Sequence, residues 1–231
     1  MAEARRWCAQ AVLFDLDGVL VDSMPVIVRL LTRWADLHGL DRAVTLSSAH
    51  GRREADLVAE LAPWADTAVE VARMQKWQAT EFDGCVPCPG AQRLLTALGD
   101  CRWAVVTSGS RAVALGRLRA AGLPVPATLV SADDVVHGKP HPEPYLKAAA
   151  ALGVRPTECV VVEDAPSGVA SGLDAGMRVI AVAPGPEELR GAHAQVASLA
   201  DIDGFQDAER EIRLTLGGAR DSTASHLQPE G

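Results

Sequence analysis

Lysine is nearly absent from this 231-residue chain. Lys76, Lys139 and Lys147 are the only three, and arginine supplies most of the positive charge. A lysine in an unusual setting therefore stands out. Long apolar runs are missing too. No stretch approaches the roughly 20 residues that a membrane helix requires, so no association with a membrane is expected. The N-terminal MAEARRWCAQ lacks the apolar heart of a signal peptide, because the run AVLF stops at Asp15. A cytoplasmic protein is predicted. There is no basic excess either: the net charge is −8. That disfavours nucleic acid or an anionic bilayer as partner, since both need a cationic face, but it leaves room for a local cationic pocket. Cysteine is present as an odd, scattered set of five. Cys85 and Cys88 form a CxxC with no second pair to complete four zinc ligands. Reduced thiols in a Pro-rich connector are expected.

Hydrophobic residues make up 48% of the chain, enough for a buried core. Short apolar runs recur and each ends abruptly in polar residues. Ala11 to Phe14 meets Asp15-Leu16-Asp17-Gly18, and Trp103 to Val106 meets Thr107-Ser108-Gly109-Ser110. Leu129-Val130 leads into Ser131, Cys159 to Val162 into Glu163-Asp164, and Val179 to Val182 into Ala183-Pro184-Gly185. Buried parallel strands that deliver polar groups at their carboxyl ends read this way. Helical segments alternate with them. Ser110 is placed to cap Arg111 to Ala121, with Gly122 as the stop. Glu143 to Leu152 ends at Gly153. Pro166 to Ala175 opens on a first-turn proline and ends at Gly176. The alternation predicts an α/β fold, a doubly wound Rossmann-like parallel-sheet core.

One stretch breaks the pattern. From Pro25 to Phe82 no strand signal occurs, while Ile27, Leu30, Leu31 and Trp34, then Leu57 and Leu61, then Val69, Met74 and Trp77 fall at helical spacing. A small all-helical cap inserted after the first strand is expected. The predicted division is core at 1–20 and 88–216, cap at 21–87, and a disordered Gly/Ser-rich tail at 217–231.

Four strand ends carry the chemistry: Asp15 and Asp17, Ser108, the turn holding Lys139, and Glu163 with Asp164. Two like unit charges about 4 Å apart cost about 4 kcal/mol at an effective dielectric near 20. Several such pairs would rival the stability of a whole domain, so carboxylates that converge here require a cation among them. The candidate ligands are hard oxygens, which selects Mg²⁺. The Lys139 ammonium, the Ser108 hydroxyl and the amides of Ser108, Gly109 and Ser110 at a helix start suit a phosphate.

FDLDGVLVDS, VVTSGS, GKPHPEPY and VVVEDAPSGVASGLDAG resemble, in order, the four motifs of the haloacid dehalogenase superfamily, with wording closest to its sugar-phosphatase branch. The likeness spans about Ala11 to Ala200. Within the insert, HGRREADLVAELAPW is similar to the cap segment of bacterial sugar phosphatases and of 2-deoxyglucose-6-phosphate and glycerol-phosphate phosphatases. The resemblance implies a Mg²⁺-dependent phosphatase acting on a small phosphorylated sugar or polyol through an aspartyl-phosphate. It makes Asp15 the nucleophile and Asp17 the general acid and base. It assigns the metal to the Asp15 carboxylate, the Asp17 backbone carbonyl and the Asp164 carboxylate, with Glu163 behind them. Ser108, Gly109 and Lys139 would bind the phosphoryl group, with Thr107 and Ser110 as competitors for the role of Ser108. Asp22 and Ser23 would shape the hinge into the cap, and His141 and Glu143 the turn after Lys139. Selectivity would lie in the cap, where His50, Gly51, Arg52 and Arg53 form the obvious polar cluster; a solvated helix end explains them equally well. A monomer is the default expectation. The rivals are a phosphomutase of the β-phosphoglucomutase type, whose cap histidine is missing from MPVIVRLL, and a non-catalytic module that binds phosphometabolites.

Overall fold

The structure, a computed structural model, describes residues 5–49, 52–185, 189–207 and 211–219. Strand β1 (Arg5–Ala9) runs into β2 (Ala11–Phe14), and β3 (Val21–Asp22) follows the Asp-rich turn. Four helices come next: α1 (Met24–His38), α2 (Arg42–Ala49), α3 (Glu54–Leu61) and α4 (Thr67–Gln78). The chain returns through β4 (Val86–Pro87), antiparallel to β3, so the entry to and exit from the helical segment lie side by side. Helix α5 (Ala91–Leu98), β5 (Trp103–Val106), α6 (Arg111–Ala120) and β6 (Thr128–Val130) follow. After them come α7 (Glu143–Leu152), β7 (Cys159–Glu163), α8 (Pro166–Asp174) and β8 (Arg178–Val182). The described chain closes with β9 (Ala194–Val196), β10 (Ile202–Gln206) and β11 (Ile212–Leu216).

Six strands form one sheet in the order β6-β5-β2-β7-β8-β9, every neighbouring pair parallel. Side chains alternate between its faces. Val12, Phe14, Val105 and Val162 pack with Leu94, Leu98 and Leu118 of α5 and α6, whereas Leu13, Ala104, Val106 and Val161 pack with Tyr145, Ala148 and Val169 of α7 and α8. Both faces are buried, so the strands are apolar throughout instead of alternating. The chain leaves β2 toward β5 on one side and returns to β7 on the other. The sheet therefore reverses its winding at β2, where α/β folds form their ligand crevice.

The helix ends behave as their residues require. The Ser110 hydroxyl accepts from the Val113 amide at 3.5 Å at the start of α6, and Gly153 closes α7 in the left-handed region at φ +66°. The α1–α4 segment has a small core of its own: Trp34, Val58, Ala62 and Met74 are buried together, and the Trp34 indole N–H donates to Glu70 at 3.0 Å. Val69, expected in the apolar stripe of α4, is 54% exposed instead.

A feature the sequence reading did not anticipate is a second sheet, order β1-β11-β10, antiparallel throughout and packed on α5. Ile212, Leu214 and Leu216 face inward and Arg213 and Thr215 less so. Of the tail expected to be disordered, 217–219 continue from β11 and the rest lies outside the described residues. Among the described residues, no helix is long and apolar enough to cross a membrane.

Candidate active site

Strand register assembles the site. Phe14 is level with Val105 on one side and Val162 on the other, so Asp15, Val106 and Glu163 emerge on one rim. The Asp15 amide donates to the Val162 carbonyl at 2.9 Å, which fixes the nucleophile candidate to the sheet. Asp15, Asp17, Ser108, Gly109, Lys139 and Asp164, each predicted from sequence, line one cavity together with Thr107 and Glu163.

Lys139 is at the centre. Its buried ammonium donates to Asp15 Oδ1 at 2.5 Å, to Glu163 Oε1 at 2.5 Å and to the Val106 carbonyl at 3.0 Å. Tyr145 of α7 donates its hydroxyl to the same Glu163 oxygen at 2.8 Å, and its ring lies under the ammonium. The other Glu163 oxygen accepts from the Asp164 and Ala165 amides at 3.0 and 3.2 Å. Both Glu163 oxygens are thus occupied with holding Lys139 and the following turn. Tyr145, the single tyrosine of the chain and the last residue of GKPHPEPY, was given no role from sequence, because its partner Glu163 lies on another element.

Asp17 points elsewhere. Its Oδ1 accepts from the Ser23 hydroxyl at 2.5 Å, and its Oδ2 pairs with Arg117 Nη1 at 2.7 Å. Ser23 therefore orients Asp17 directly, while Asp22 Oδ1 accepts from the Met24 amide at 3.3 Å at the start of α1. Arg117, on α6, is a second residue that sequence reading passed over: its side chain is only 5% exposed, yet it shares RAVALGRLRA with two other arginines and nothing singles it out.

The turn after β5 gives its neighbouring hydroxyls different partners. Thr107 Oγ1 accepts from the Gly109 amide at 3.1 Å, and Ser110 caps α6. Ser108 lines the cavity and its hydroxyl has no partner among the described residues. After Lys139, Glu143 accepts from the amides of Val136 and His137 at 2.8 and 2.9 Å, and His141 Nδ1 accepts from the Glu143 amide at 3.2 Å. These two residues shape the turn, as expected. Of the cap cluster, Arg52 and Arg53 are tied into ion pairs with Glu60 and Asp56, whereas His50 and Gly51 lie outside the described residues.

The carboxylates of the site outnumber the cations that face them. Burial raises Asp15 well above the usual carboxyl range, and the attraction of Lys139 is countered by Glu163, Asp164 and Asp17. Burial, with Glu163 beside it, pushes Asp164 up to about 7. Burial alone would lower Lys139, but Asp15 and Glu163 outweigh it and hold the ammonium charged. Four carboxylates (Asp15, Asp17, Glu163, Asp164) face two cations (Lys139, Arg117). With all four ionised, the excess of two negative charges would equal the charge of one divalent ion. Asp15, Glu163 and Asp164 each present an oxygen within 4.8 Å of the others, an all-oxygen set that suits a hard cation. The backbone is shaped around these groups: a Cβ on Gly18 would lie 1.9 Å from Asp164 Oδ2, and Gly18 holds φ +87°. Only glycine fits there.

Comparison with known proteins places the chain in a family. Residues 9–176 match the model of the haloacid dehalogenase-like hydrolases. The chain belongs to that family. Among its relatives, hexitol phosphatase A of Escherichia coli K12 is 47% identical over 74% of this chain and 81% of the relative. Glycerol-1-phosphate phosphohydrolase 2 of Saccharomyces cerevisiae is 35% identical, over 75% of this chain and 74% of the relative. Among solved structures, CbbY from Rhodobacter sphaeroides in complex with phosphate superposes with a TM-score of 0.73 at 25% identity, covering 84% of this chain and 96% of that one. The family assignment agrees with the four motifs, and the neighbours share the α/β sheet with its flanking helices.

Proposed function

We propose that this hydrolase is a Mg²⁺-dependent phosphatase that cleaves a small phosphorylated sugar or polyol through an aspartyl-phosphate on Asp15. The observation that carries the reading is the Lys139 ammonium bridging Asp15 and Glu163 beside Asp164, a carboxylate cluster short of two positive charges at the mouth of a phosphate-sized loop. The relatives named for hexitol and glycerol phosphates support the substrate class.

Mg²⁺ would be held by the carboxylates of Asp15 and Asp164 and the backbone carbonyl of Asp17, and when bound it supplies charge neutralisation for the phosphoryl oxygens. The Ser108 hydroxyl, the Gly109 amide and the Lys139 ammonium hold the phosphoryl group in line with Asp15. Asp15 attacks phosphorus: its carboxylate O–P bond forms as the ester P–O bond breaks, and Asp17 gives its proton to the departing alcohol. Water then attacks the same phosphorus, Asp17 takes the proton back, and the Asp15–phosphate bond breaks to release phosphate. Helices α1–α4 act as the cap, with 21–87 as the cap domain and 1–20 with 88–216 as the core. The cavity of about 180 Å³ has room for on the order of ten waters, more than a phosphate alone requires. All five cysteines are free thiols, which fits action in the cytoplasm.

The test is phosphate release from sugar, hexitol and glycerol phosphates with Mg²⁺ and with chelator. Metal-dependent release from at least one is expected. No release from any of them overturns the reading, and conversion of β-glucose 1-phosphate to the 6-phosphate without free phosphate replaces it with a mutase.

A further inference from the structure

The cavity is also lined by a second polar cluster, Glu54, Gln78 and Arg117, that the phosphoryl group itself does not need. Arg117 of α6 reaches from Asp17, paired through Nη1 at 2.7 Å, to the helical segment, where its Nη2 donates to Gln78 Oε1 at 3.3 Å. Gln78, the last residue of α4, donates through Nε2 to Glu54 Oε1 at 2.7 Å. Glu54 opens α3, and burial raises its pKa. The three side chains form one relay from the proposed proton donor to the cap. Around them the wall is apolar, with Ile27, Leu31, Leu46, Leu57 and Met74 among its residues.

Donors and acceptors in such a wall are costly unless a ligand or water matches them. A guanidinium offers five N–H groups and a carboxylate several lone pairs, so the relay offers more of each than it uses internally. Hydroxyls match both at once, because each donates and accepts. The charges restrict the ligand further. Among the described residues that line the cavity, each cation is already paired: Lys139 with Asp15 and Glu163, Arg117 with Asp17, and Arg52 with Glu60 at 2.7 Å. A second anionic group on the substrate would meet Glu54 with no unpaired cation to offset it.

We infer that Glu54, Gln78 and Arg117 form the subsite for the hydroxyls of an uncharged leaving group, which admits polyol and neutral sugar monophosphates and excludes bisphosphates and phosphorylated acids. The inference rests on the phosphatase reading. It moves the site of selection from the stretch 50–53 to a relay of which one member, Arg117, stands on the core helix α6. Because Arg117 also holds Asp17, a hydroxyl that takes up the guanidinium couples recognition to the position of the proton donor.

The experiment compares kcat/KM for a hexitol monophosphate, methyl phosphate and a sugar bisphosphate in the wild type, Gln78→Leu and Glu54→Gln. In the wild type the hexitol monophosphate should lead both others by roughly tenfold or more, the scale of one or two matched hydrogen bonds. Gln78→Leu should shrink the hexitol-to-methyl ratio roughly tenfold, mainly through KM. Glu54→Gln should shrink the hexitol-to-bisphosphate ratio. A wild type that hydrolyses methyl phosphate with no preference for the hexitol, or that prefers the bisphosphate, overturns the subsite and leaves the phosphatase standing. Ratios unchanged in both variants do the same. A wild type that hydrolyses none of the three overturns the phosphatase reading and the subsite with it.

Discussion

Lys139 owes its importance to having no substitute. It is a buried ammonium with two carboxylates at 2.5 Å, and its removal leaves Asp15 and Glu163 to repel each other in a site that burial already makes hostile to charge. Stripping one partner from a buried ion pair costs about 3–5 kcal/mol. Lys139→Met is therefore expected to abolish phosphate release and to lower the melting temperature by roughly 10 °C in chelator. An unchanged melting curve would show that the ammonium does not bind the cluster together. At this scale the sequence was legible where a residue was both scarce and set in a distinctive turn, as Lys139 is, or where polar residues ended an apolar run, as Asp15 and Asp164 do. Arg117 and Tyr145 were not legible. Their roles come from partners on other segments, Asp17 100 residues away and Glu163 18 residues away; Arg117 is one of three arginines on α6, and Tyr145, though the only aromatic on α7, shows no partner within its own helix.

At the scale of elements, the first turn of α8 controls the cluster. A Cβ on Gly168 would lie 1.7 Å from Glu163 Oε1, so Gly168→Ala must push Glu163 away from Lys139 and Tyr145 or move the helix. Gly176, just beyond the other end of the same helix, has φ +74° and nothing within 4 Å of such a Cβ. Gly176→Ala should cost about 1 kcal/mol of backbone strain and leave turnover intact. Gly168→Ala should cost several times more and lose activity. Equal melting temperatures and activities for the two would contradict this account of α8. Five of the six parallel strands and helices α6, α7 and α8 were readable, because those strands are buried on both faces and those helices stop at Gly122, Gly153 and Gly176, each at positive φ; β9 and α5 were not. The antiparallel sheet was not. Ile212, Leu214 and Leu216 alternate with Arg213 and Thr215, a strand signal in itself, but its partners β1 and β10 begin with two arginines and contain Asp203 and Gly204, residues with poor strand preference. Their pairing is decided by tertiary contact with α5.

For the whole molecule, the proposed metal site would couple metal binding to folding stability. Mg²⁺ should raise the melting temperature above its value in chelator, because a ligand that binds only the folded state stabilises it by mass action. No shift at millimolar Mg²⁺ would mean that the carboxylate cluster does not hold the ion. The thiols give a separate reading of the fold. Burial, helped by Asp22, pushes Cys88 up to about 12, so at any pH from 7 to 9 its folded-state form is the unreactive thiol. Its alkylation rate should stay low over that range and rise sharply only on unfolding; fast alkylation of the native protein at pH 8 would contradict the burial. Asp15 bears the weight of the functional account, and one comparison tests it most directly: phosphate release from a hexitol phosphate in Mg²⁺ by the wild type and by Asp15→Asn, with deamidation checked by mass. Steady release by the wild type and none by the variant is the predicted result. Turnover by an intact Asn at position 15 would contradict the assignment of Asp15 as the group that takes the phosphoryl.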